Sequence, residues 1–71
     1  MDLSYLDREL AFAARALAMC EDYGFPAVSE KIRRDLREIV LPLAIGLANA
    51  VNSDERELIE TRIERLRALL A

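Results

Sequence analysis

Apolar residues spaced three and four apart run along most of this chain, and that is the period of helix faces. Leu3, Leu6, Leu10, Ala13, Leu17 and Cys20 alternate the two steps and so share one face of a helix turning about 100° per residue. The first helix is predicted from about Ser4 to Asp22. Ser4 followed by Asp7 resembles a capping box with Asp in place of Glu, and Asp2 competes as the cap. Tyr23, Gly24, Phe25 and Pro26 end it, because Gly24 can take the left-handed conformation and Phe25 can fold back on the last turn.

Pro26 has no N–H to leave unpaired in a first helical turn, so a second helix should start at once and form an antiparallel hairpin with the first. Val28, Ile32, Leu36, Ile39 and Val40 continue at helical spacing. Pro42 removes the bond to the Glu38 carbonyl and disfavours helical geometry at Leu41. With no turn residues around it, a kink is expected rather than a loop. Asn52 with Glu55, or Ser53 alone, caps a last helix from about Asp54 to Leu70. Its seam is Ile59, Ile63, Leu66 and Leu70, with Leu58 and Leu69 beside it and Arg65 and Arg67 near the negative end of the dipole.

The fold class expected is therefore all-α, a single domain over residues 1–71: an antiparallel three-helix bundle (about 4–22, 26–51 kinked near 42, and 54–70). At 71 residues the chain sits near the lower size limit for folding alone, and its one cysteine, Cys20, rules out an internal disulfide. Helix formers dominate, and 54% of residues are hydrophobic, too many for a disordered chain.

The helix faces carry more apolar surface than three helices can cover. Tyr5, Phe12, Ala16, Met19 and Tyr23 form a second stripe on the first helix, roughly 120° from the seam, with only Glu9 between them. Together the stripes span about 200°, twice the arc a surface helix needs. From Leu41 to Val51 only Pro42, Gly46 and Asn49 break an apolar circumference. A homodimer would bury both regions, with the kinked helices, the Phe12 stripes or both packed across a two-fold axis; a different protein presenting a helix would serve equally. The interface candidates are Tyr5, Glu9, Phe12, Ala16, Met19 and Tyr23 on the first helix and Leu41, Ile45 and Ala48 on the second. Glu9 either meets an arginine across that interface or reaches solvent at its rim.

Little in the sequence suggests chemistry. There is no histidine, one cysteine cannot build a thiolate metal site, and Gly24 and Gly46 stand alone, so no catalytic residues, cofactor or metal are expected. Glu55, Glu57, Glu60 and Glu64 read as a solvated face, Cys20 as a core thiol and Pro42 with Gly46 as a packing device. Lys31, Arg33, Arg34 and Arg37 make the one basic cluster. Glu30–Arg34, Lys31–Asp35 and Arg34–Glu38 stand four apart as opposite charges, and the net charge of −3 opposes phosphate binding.

The 13-residue apolar stretch Ile39–Val51 is too short to cross a membrane, and the N-terminus lacks the pattern of a signal peptide, so a cytoplasmic protein is expected. The function expected is a small interaction module without enzymatic activity, of the adaptor, anti-activator or co-chaperone type. The alternative is a small dimeric DNA-binding regulator or antitoxin using the Lys31/Arg33/Arg34/Arg37 cluster.

Overall fold

A computed structural model describes residues 2–71, and all regular structure in them is helical: α1 (Ser4–Tyr23), α2 (Pro26–Asp35), a π-helical turn (Leu36–Val40), α3 (Leu41–Ala50) and α4 (Ser53–Leu70). No described helix is long and apolar enough to cross a membrane. Asp2 accepts a hydrogen bond from the Ser4 N–H at 2.8 Å and another from the Ser4 hydroxyl. Both bonds hold the Asp2 carboxyl below its usual range. Asp7 makes no capping box, since its carboxylate is taken by Arg62 of α4.

Gly24 closes α1 at φ +72°, and the Cys20 carbonyl in the last turn accepts both the Gly24 N–H and, at 2.9 Å, the Phe25 N–H. Asn52 caps α4 by accepting from the Glu55 N–H at 2.9 Å, while its own amide donates to the Glu55 carboxylate. Arg56 then reaches back and donates to the Ala48 carbonyl at 2.9 Å, closing the end of α3.

Pro42 acts differently from the kink or restart the sequence suggests. Leu41 stays helical (φ −63°, ψ −47°), and the turn just before the proline is widened, with the Leu41 N–H donating to the Leu36 carbonyl five residues back. A proline ring presses on the carbonyl four residues before it, here Glu38, and a turn opened by one residue gives that carbonyl room. The extra residue also resets the face. Ile32, Leu36, Val40, Ala44 and Ala48 stand four apart, a row that drifts about 40° per step on an ordinary α-helix, roughly 160° over its length. One added residue takes back about 100°, so the row stays on one side. Ile39 is the residue displaced: seven after Ile32, it would face the core of an unbroken α-helix, and it is exposed.

The core draws on Leu6, Leu10 and Ala13 from α1, Leu36 and Val40 from the π turn, Ala44 and Ala48 from α3, and Ile59, Ile63 and Leu66 from α4, while α2 adds only the half-buried Ile32 at its edge. Each fully buried Leu or Ile contributes about 1.5–3 kcal/mol. Two alanines facing α4 let its backbone approach α3 closely. No polar side chain is buried among the described residues.

The helices are staggered. α2 packs on α1, α3 packs on α4, and α1 meets α4 between those two pairs. One end of the molecule is α1 and α2 alone; the other is α3 and α4 alone. The resulting shape is long, 42 × 17 × 17 Å, with a radius of gyration of 12.8 Å, against roughly 11 Å for a compact chain of this length.

Candidate interaction surface

The two-helix end formed by α1 and α2 carries the largest apolar side chains that the fold leaves uncovered. Phe12, Met19, Tyr23, Phe25 and Val28 are between 51% and 70% exposed. Phe12, Met19 and Tyr23 lie on one face of α1 because they repeat at steps of seven and four, and Ala16 falls between them, half-buried. Gly24 turns the chain so that Phe25 and Val28 come alongside. The Tyr23 and Phe25 rings stand 6.5 Å apart, tilted by 33°. Together these side chains border a shallow groove of about 320 Å³ that Ile32 and Cys20 also line. Cys20 and Leu17 are buried beneath this end, outside the main core.

A second groove, of about 500 Å³, runs along the outer edge of the same stripe, where Arg8 and Arg15 flank Phe12 and Met19. The exposed area of the whole chain is 4956 Å². A compact monomer of 8.0 kDa exposes about 4,450 Å², so the staggered shape carries roughly 500 Å² beyond what its size requires.

The candidates read from the sequence divide into two groups. Tyr5, Phe12, Met19 and Tyr23 are exposed together on α1, with Ala16 and Glu9 half-buried beside them. Glu9 has no ion-pair partner among the described residues. The other three candidates do not join this face. Ala48 is a correction: at 5% exposure it belongs to the chain's own core, closed over by α4. Leu41 is half-buried against that core, and Ile45 opens onto a separate groove between α3 and α4, beside Glu60, Glu64 and Arg67.

Phe25 and Val28 belong to the exposed face although their spacing suggests otherwise. Val28 keeps the helical step to Ile32, but it sits in the first turn of α2, at the open end of the α1–α2 pair. Phe25, expected to fold back on the last turn of α1, stands beside Tyr23 and stays 54% exposed.

The basic cluster is only partly paired along α2 and the π turn. Lys31 pairs with Asp35 at 2.8 Å, Arg37 approaches Glu30 at 3.9 Å, and Arg33 donates to the Ser29 hydroxyl at 2.6 Å. Arg34 forms a salt bridge with neither Glu30 nor Glu38, in contrast to the spacing of the charges. The strongest ion pair lies elsewhere: Arg62 holds Asp7 through two bonds, at 2.7 and 3.3 Å, and ties α4 to α1. That pairing keeps the Asp7 carboxyl below its usual range. Among the described residues no group of three or more carboxylates or thiols is placed to hold a metal ion. Compared with known proteins, the chain matches no family model, no curated protein and no solved structure.

Proposed function

We propose that this protein is a small cytoplasmic interaction module of the adaptor, anti-activator or co-chaperone type, acting without enzymatic chemistry through its apolar helix faces. In this reading the three helices form an antiparallel bundle that is completed as a homodimer. One observation carries it: Phe12, Met19, Tyr23, Phe25 and Val28 lie exposed around a single groove at an end only two helices deep. Isolated exposed apolar residues are ordinary, but a contiguous patch of this kind marks an association surface. A second layer of helices laid on that end would make it four helices deep.

Light scattering across a concentration series tests the reading. It requires twice the mass of one chain, reduced to a single chain by Phe12→Asp while the helical circular dichroism is kept. A single-chain mass at every concentration refutes the homodimer. Unchanged mass in Phe12→Asp refutes the assigned face.

A further inference from the structure

Resting on the homodimer reading, we infer the seam and its register: α1 packs antiparallel against α1 of a second copy, with the two-fold axis beside Ala16. Arg8, Arg15 and Asp22 repeat every seven residues along one edge of the Phe12–Met19 stripe, and none of the three has a salt-bridge partner among the described residues. This edge runs from positive to negative along the helix. A two-fold axis perpendicular to the pair brings an edge against itself reversed, so the basic start of one α1 meets the acidic end of the other.

Residues stand opposite each other across such an axis when their numbers share a sum. Phe12 opposite Met19 of the second copy gives 31, Arg8 opposite Asp22 gives 30, and Ala16 opposite itself gives 32. All three fall within about 3 Å along the helix at 1.5 Å per residue, a distance long side chains span. The small side chain of Ala16 lets the helices approach where they cross, and the large Phe12 and Met19 fill the space on either side. Tyr5 of the second copy then lies over the Phe25 and Val28 end, covering the α1–α2 groove.

The competing register, with Tyr5 opposite Tyr23 and a sum of 28, sets Phe12 at the level of Ala16 and Met19 at the level of Glu9, so the large side chains no longer meet and a carboxylate faces Met19. Area agrees as well. At roughly 200 Å² per large aromatic side chain, this face offers on the order of 600 Å² per copy. Two copies bring about 1,200 Å², the lower bound for a stable interface.

The symmetry has one unfavourable consequence, since Arg15 comes to lie beside Arg15 of the second copy at the rim. That contact makes the register distinctive: Arg15→Gln should tighten the dimer, whereas loss of a useful charge would weaken it.

The deciding experiment mixes two charge reversals, both at exposed positions and both checked for intact helicity. Arg8→Glu alone and Asp22→Arg alone each place like charges opposite and should raise the dimer dissociation constant roughly tenfold or more. In an equimolar mixture the heterodimer regains both attractions, so it should form in preference to either homodimer. Independently, Ala16→Cys in a Cys20→Ala background should cross-link under mild oxidation, because disulfides need Cα atoms within about 7 Å; Ile45→Cys in the same background should not. If the wild type is dimeric and split by Phe12→Asp, yet the mixture shows no preference and Ala16→Cys stays reduced, this register is wrong and the homodimer stands. If the wild type is a single chain throughout, both fall together.

Discussion

Phe12→Asp should separate the proposed association from folding, because most of the side chain it removes lies outside the chain's own packing. Phe12 is 67% exposed. About two thirds of an aromatic surface of roughly 200 Å² is therefore available to a second copy, some 130 Å². At 25 cal/mol per Å² that is about 3 kcal/mol per copy, and a two-fold interface uses it twice, for about 6 kcal/mol. Desolvating two aspartates adds to the loss. The dimer dissociation constant should rise by more than about 10⁴-fold, so a dimer held at micromolar or tighter affinity becomes a single chain at ordinary concentrations. Sedimentation velocity over a concentration series measures the shift, with far-ultraviolet circular dichroism on the same samples. Ile45→Lys, a charge introduced on the α3 side, serves as the control and should leave the mass unchanged. Loss of helix in Phe12→Asp would show that the ring is a core element after all. An affinity changed by less than tenfold would show that Phe12 lies outside the interface.

Leu66→Ala, at a fully buried position of α4, should cost about 2–5 kcal/mol in urea unfolding, whereas Leu58→Ala on the exposed side of the same helix should stay within about 1 kcal/mol; equal losses would contradict the facing of α4. Gly24→Ala forces a β-carbon into φ +72° and should destabilise by about 1–2 kcal/mol, with no change if the turn can reopen to negative φ. Asp7 is held below the ordinary carboxylate value of 3.8 by Arg62, so the unfolded chain takes up its proton first on acidification. The stability this pair contributes is present above that ordinary value and disappears as pH falls through the lowered one. The wild type should therefore exceed Asp7→Asn in stability at neutral pH and converge with it in acid, and a constant difference between the two down to pH 2 would exclude the pairing as its cause.

Local signals made the helical class legible. The Leu6–Leu10–Ala13–Leu17–Cys20 seam, the Gly24 stop and the Asn52 cap act over one or two turns, where residue spacing determines what can face what. The exposed stripe around Phe12 was legible for the same reason, since its excess over a single core-facing arc follows from counting positions. Two features were hidden because they depend on the neighbours a residue acquires. Ile39 has core spacing until the π turn inserts a residue before Pro42, and nothing in the sequence distinguishes that wide turn from a kink. Ala48 read as part of an all-round apolar helix in need of an outside partner, yet α4 folds back close enough to bury it, which alanines at 44 and 48 permit.

The stagger explains why the bulkiest exposed apolar side chains gather at one end. Where α3 meets α4, the chain satisfies its own terminal groups: Asn52 caps α4 and Arg56 holds the Ala48 carbonyl. Alanines bring the two helices close enough to enclose their seam, and Ile45 is left less exposed than any of the five residues around the α1–α2 groove. At the α1–α2 end the turn is closed by backbone bonds alone, with no side-chain cap on α2, and bulky Phe12, Met19, Tyr23 and Phe25 take the place of small residues. Side chains of that size hold water-exposed area that two helices cannot cover between them.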